Sequence, residues 1–119
     1  MNAAKLRTLC LSLPGATETI QWGDNRVFKV AGKMFAISGS DAESLYSLKA
    51  DPARFLELSD QPGVRPAPYL ARHKWVQVDP ARCSLPSADL EALVKQSYEL
   101  VFAKLTKKLQ REIRPELKD

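Results

Sequence analysis

The chain has 119 residues, of which 45% are hydrophobic and 27% charged, with a formal net charge of +4. This is the size of one domain and the composition of an average globule, which excludes collagen-like, low-complexity and disordered classes, so a single domain over residues 1–119 is expected. No apolar run approaches the ~20 residues that span a bilayer, and Met1 to Leu13 sets leucines among Lys5 and Arg7 rather than building a signal peptide, so a cytoplasmic protein with no membrane partner is expected.

Asn2 is placed to cap a first helix whose apolar face is Ala3, Leu6, Leu9, Cys10 and Leu13, and Pro14-Gly15 ends it. The period then changes to two: Ile20 and Trp22, Phe28 and Val30, Phe35 and Ile37 each face one side of a strand. Gly23-Asp24-Asn25 reads as a turn, Ala31-Gly32 joins two strands as a hairpin, Gly39-Ser40-Asp41 is another turn, and Leu45 to Lys49 is a further strand. Residues 19–49 therefore predict an antiparallel meander.

Asp51-Pro52 opens a short second helix with Phe55, Leu56 and Leu58 on its apolar side. Residues 61–74 are the least regular stretch, and Trp75 to Val78 form a last strand closed by Asp79-Pro80. Ser87 is expected to cap a long final helix with Leu90, Leu93, Val94, Ser97, Val101 and Leu105 in one stripe, running to about Ile113 before Pro115. The sum is an α+β fold: an N-terminal helix, an antiparallel sheet of five to six strands, a short middle helix, and a long C-terminal helix packed on one face.

The chemistry available is narrow. The single histidine, His73, lies between Arg72 and Lys74, and no nucleophile, metalloprotease or phosphate-loop motif accompanies it. The carboxylates show no acid–base spacing, and Asp41 with Glu43, or Glu112 with Glu116, fall short of a calcium loop. Cys10 and Cys83 are neither a disulfide framework nor a zinc knuckle. We therefore expect no catalytic residues, no metal and no cofactor.

What stands out is basic. Residues 60–119 carry eleven cations against eight anions, and residues 1–59 seven against six. Arg65, Arg72 and Lys74 are interleaved with Tyr69 and Trp75, a combination that pairs with phosphates and stacks on bases, although both aromatics also fit a core edge. Lys104, Lys107, Lys108 and Arg111 recur at spacings of three and four on the final helix, where a phosphate backbone or the C-terminal dipole would account for them. Lys29 and Lys33 flank the hairpin turn as a basic wing, or guard it against edge pairing. Glu18, next to Trp22, either pairs with a cation such as Lys33 or Lys74 or lines a small-ligand pocket with Trp22, Tyr69 and Trp75.

In order, four segments resemble the MmcQ/YjbR family: Leu13-Pro14-Gly15-Ala16-Thr17-Glu18; the hairpin from Phe28 to Ala36; Pro66-Ala67-Pro68-Tyr69-Leu70 followed by Lys74-Trp75-Val76-Gln77-Val78; and Ser97-Tyr98-Glu99-Leu100-Val101 with Lys104-Leu105 and Lys107-Lys108. The resemblance covers roughly Leu6 to Leu109. It implies a frataxin/CyaY-like fold and brings the family's label of DNA-binding protein. It does not extend to iron delivery, because the first helix carries Lys5 and Arg7 and no acidic residue. The resulting expectation is a non-enzymatic DNA-binding or regulatory domain without sequence-specific readout. The alternatives are a protein-interaction module, such as a weak homodimer, and a small-ligand sensor.

Overall fold

The computed structural model describes residues 1–117. Helix α1 spans Ala3–Ser12, and the Asn2 side chain accepts a hydrogen bond from the Lys5 N–H at 3.0 Å, which satisfies one of the orphan donors of its first turn. Six strands follow: β1 (Ala16–Gln21), β2 (Asn25–Val30), β3 (Lys33–Ser38), β4 (Tyr46–Lys49), β5 (Val64–Pro66) and β6 (Trp75–Val78). They form one antiparallel sheet in the order β1-β2-β3-β4-β6-β5. Helix α2 (Phe55–Ser59) lies between β4 and β5, and α3 (Ser87–Phe102) and α4 (Lys107–Ile113) complete the chain.

Helices α1 and α3 cover one face of the sheet. On that face the register aligns Phe28, Ala36, Leu48 and Val76 across four strands, and Val30, Tyr46, Val64 and Val78 belong to the same buried cluster. Each fully buried apolar side chain there contributes about 1.5–3 kcal/mol. Tyr98 of α3 is the hub. Its ring meets Phe35 edge-on at 5.4 Å and stacks on Phe102 at 5.8 Å, and its hydroxyl donates to the Pro14 carbonyl at 2.6 Å.

A β-bulge decides which residues see the helices. Phe28 pairs with Ala36, but Lys29 pairs with Met34, so Phe35 is the extra residue. Phe35 and Ala36 consequently both point toward α3, while Ile37 points to the opposite face. The strict alternation expected for Phe35 and Ile37 is broken there. Ser97, fully buried on α3, fastens the bulge: its hydroxyl donates to the Phe35 carbonyl at 2.6 Å and accepts from the Lys49 N–H at 3.0 Å.

Other expectations need correction. β1 begins at Ala16, not residue 19, and Trp22 lies beyond its end in a turn. The irregular stretch 61–74 contributes edge strand β5. Leu56 is 77% exposed, because only Phe55 and Leu58 of the short α2 reach the core. Pro86, not Ser87, occupies the cap position of α3. The final helix is two helices. α3 stops at Phe102, the Gln110 side-chain amide donates to the freed carbonyls of Phe102 and Leu105 at 3.2 and 3.0 Å, and Thr106 caps α4 by accepting from the Leu109 N–H. The break lets α4 fold back: a Cβ on Gly15 (φ +71°) would stand 2.8 Å from Ile113.

Candidate nucleic-acid interface

Antiparallel order brings particular chain segments to one end of the sheet. The β2–β3 hairpin, the end of β4 and the start of β6 meet there, since Lys49 pairs with Trp75 and the Ala50 N–H donates to the Lys74 carbonyl at 2.9 Å. The hairpin turn itself has φ > 0 at both Ala31 (+49°) and Gly32 (+78°), the conformation whose twist suits a two-residue connection. Lys29 and Lys33 flank it. The end of α3 arrives at the same place, carrying Lys104 close enough to Lys49 to act on its charge. Lys29, Lys33, Lys49, Lys74 and Lys104 thus share one end of the molecule. From β2 to β6 is three strand spacings, about 14 Å.

These lysines are not neutralised. Among the described residues none of the five forms an ion pair, whereas Arg7, Arg26, Arg54 and Arg114 all meet carboxylates. The Lys49 ammonium is pulled below its ordinary pKa, chiefly by burial and then by repulsion from Lys104. Lys74, in a left-handed conformation (φ +66°), holds its ammonium 5.2 Å from the centre of the Phe55 ring. The nearest carboxylate in sequence, Asp51, is engaged as a cap, accepting from the Ala53 N–H at 2.9 Å.

The remaining expected cations are dispersed. Arg72 is exposed in the short 3-10 turn Ala71–His73, beside Lys74. Arg65 stands on the helix-free face of β5, its Nε donating to Gln77 Oε1 at 2.7 Å. Lys104 lies in the link between α3 and α4, Lys107 and Lys108 are in the first turn of α4, and Arg111 is in its last turn. The expectation that these four line one helix face therefore fails. The dipole argument fails for Lys107 and Lys108 as well, because cations in a first turn face the positive end of the helix.

The expected pocket of Glu18, Trp22, Tyr69 and Trp75 does not assemble. Glu18 lies on the helix-covered side, where Arg7 of α1 donates to it at 2.8 and 3.2 Å and Arg26 of β2 at 3.4 Å. Its partners are these two arginines, not Lys33 or Lys74. The Arg7 hydrogen bond holds the Glu18 carboxyl below the usual carboxylate range against the opposing effect of burial, with further lowering by the Arg7 charge and by Arg26. Trp75, 4% exposed, is buried, its backbone tied to Ala67 and Leu70.

Trp22 and Tyr69 do meet at a groove, one the sequence did not outline. It occupies the helix-free face of the sheet, has a volume of about 780 Å³, and is floored by Met34, Ile37, Ser47 and Gln77. Such a volume is typical of ligand-binding clefts. Trp22 is 63% exposed and Tyr69 100%, and both adopt left-handed backbone (φ +50° and +66°). Non-glycine residues held there cost about 1–3 kcal/mol each and cluster at functional sites. The period-two signal for Ile37 was visible in the sequence. The bulge that turns it to this face was not.

Among the described residues no group of three or more His, Cys, Asp or Glu is placed to hold a metal, and no helix is long and apolar enough to cross a membrane. Comparison with known proteins fits this architecture. A family model described as YjbR matches residues 11–100. The Escherichia coli O157:H7 protein YbdF, itself uncharacterised, is 33% identical over 92 residues, 75% of this chain and 74% of its own length. The crystal structure of Deinococcus radiodurans DR2400, a protein with a DUF419 domain, superposes with a TM-score of 0.80 at 30% identity over 92% of this chain and 86% of that one. A Pseudomonas syringae protein of known structure shares the fold, with a TM-score of 0.71 at 20% identity over 85% of this chain and 99% of that one.

Proposed function

The chain belongs to the YjbR family, and from that premise we propose that it is a non-enzymatic DNA-binding domain of the bacterial cytoplasm, gripping phosphates with the basic end of its sheet. The observation that carries this reading is the convergence of Lys29, Lys33, Lys49 and Lys74 at one end of the sheet, with Lys104 near enough to act on Lys49, none of them in an ion pair among the described residues. Uncompensated cations raise the energy of the free protein and are relieved by an anionic ligand. Lys29, Lys33 and Lys74 extend the patch across about 14 Å, enough to meet several phosphates of one backbone. Contacts of this kind position a nucleic acid without reading its sequence.

The test is fluorescence anisotropy of a labelled DNA duplex at about 50 and 200 mM salt, with the native protein and with the double variant Lys49→Ala, Lys104→Ala. The native protein is expected to bind with an affinity that falls steeply with salt. The double variant should flatten the log–log slope by about 2, one phosphate contact for each lysine. Absence of binding by folded protein at 50 mM salt, or a slope unchanged in the variant, refutes the proposal.

A further inference from the structure

The helix-free face of the sheet carries a charge pattern of its own. The residues that alternation and register place on it are Thr17, Thr19 and Gln21 of β1, Asn25, Val27 and Lys29 of β2, Met34 and Ile37 of β3, Ser47 and Lys49 of β4, Arg65 of β5, and Trp75 and Gln77 of β6. Of these strand residues three are cations and none is an anion, and Asp24 and Asp79, just beyond the ends of β2 and β6, lie outside the strands. The groove between them is lined by no charged residue. Its walls carry aromatic and apolar side chains, with Asn25, Ser38, Ser44, Ser47 and Gln77 as hydrogen-bonding groups. Each cation stands next to a residue of the floor: Lys29 pairs with Met34, Lys49 lies two residues from Ser47 on the same face, and Arg65 donates to Gln77.

A neutral cleft with aromatic walls and a cationic margin is complementary to one kind of chain: flat uncharged rings with polar edges, strung on an anionic backbone. We propose that the groove takes the unpaired bases of single-stranded DNA, which stack on Trp22 and Tyr69 while the strand's phosphates follow Lys29, Lys49 and Arg65. A duplex hides its base faces in the stack and offers only its phosphates to the same protein. This inference deepens the reading of the preceding subsection and rests on it.

The backbone at the two aromatics separates a binding role from a folding role. The Leu70 N–H donates to the Ala67 carbonyl at 3.2 Å, closing a turn with Pro68 second and Tyr69 third. With φ at +66°, the third position is one that normally takes Gly or Asn. Trp22, likewise left-handed, precedes Gly23, itself at φ +85°, and its carbonyl accepts from the Asn25 side chain. Asparagine suits this conformation better than either aromatic. Tyr69→Asn and Trp22→Asn therefore remove a ring while easing the local backbone.

The decisive comparison is anisotropy with a labelled thymidine 20-mer and with a duplex of equal length, for native protein and both variants, beside their thermal unfolding. The native protein is expected to prefer the single strand. Each variant should be at least as stable as the native protein, lose roughly 5- to 150-fold in single-strand affinity, and keep its duplex affinity and salt slope. Equal affinity for strand and duplex, with both variants unaffected, overturns the groove assignment and leaves the phosphate-binding reading standing. Failure of the folded protein to bind either DNA overturns both. Sedimentation completes the test: a dimer of native protein that either variant dissolves makes a second copy of the chain the occupant and also refutes the inference.

Discussion

Replacing Ser97 by alanine tests how the bulge is held. The hydroxyl sits at 0% exposure between two strands, donating to Phe35 and accepting from Lys49. Alanine removes a single oxygen, so no sizeable cavity opens and the packing of α3 is preserved. What changes is the fate of two backbone groups, the Phe35 carbonyl and the Lys49 N–H, which the bulge leaves without these partners. An unsatisfied buried polar group costs about 1–3 kcal/mol, so Ser97→Ala is expected to destabilise by about 2–6 kcal/mol with both orphaned. For a domain of this size that corresponds to roughly 8–24 °C in Tm. Urea unfolding followed by tryptophan fluorescence and by circular dichroism measures it, and coincidence of the two curves justifies a two-state treatment. A loss below about 0.5 kcal/mol, the range of ordinary surface substitutions, would refute the idea that Ser97 fastens the bulge.

Two further outcomes follow from the buried and paired groups. The carboxyl of Glu18 is held below its unfolded value by Arg7 and Arg26, so its contribution to stability is complete above the unfolded value, about pH 4.3, and is lost as pH falls through the lower folded value. Unfolding midpoints between pH 6 and pH 2 should therefore drop less steeply for Glu18→Gln than for the native protein, and parallel profiles would show that the arginines do not stabilise the carboxylate. Burial pushes the Cys10 thiol up to about 12, with the Glu18 charge adding to the effect, whereas Cys83 is only half-buried. Iodoacetamide at pH 8 is expected to modify Cys83 and spare Cys10 in the folded protein, with both reacting in urea; peptide mass mapping reads the result, and rapid alkylation of folded Cys10 would contradict its burial.

Much of the fold was legible because its signals are local. Asn2, three residues before the Lys5 N–H it accepts from, caps a helix whichever way the rest of the chain packs. Gly32 between two apolar runs marks a hairpin, and Asp51-Pro52 starts a turn of helix, through the dihedral preferences of Gly and Pro, whereas Ala31 is carried into left-handed backbone (φ +49°) by the pairing of the two strands. The family assignment was legible for a similar reason, since four short segments in order suffice. The long final helix misled because its apolar stripe continues across the break. Thr106 is an ordinary helix residue until the chain turns there, and Gln110 becomes a cap only when it reaches back to Phe102 and Leu105.

The sequence by itself determined the first helix with its Asn2 cap, the β2–β3 hairpin and the sign of the surface, because these depend on neighbours a few residues apart. Tertiary structure alone decided which charges meet. Glu18 takes Arg7 because α1 crosses the edge of the sheet above it and Arg26 because β2 pairs with β1, and the lysines at 29, 49 and 74 converge because antiparallel pairing returns each segment to the same end. The groove depends on register in the same way. One extra residue at Phe35 sends every later side chain of β3 to the other face, and in a structure whose side chains alternate with period two, that choice belongs to the pairing of strands and not to any strand's own sequence.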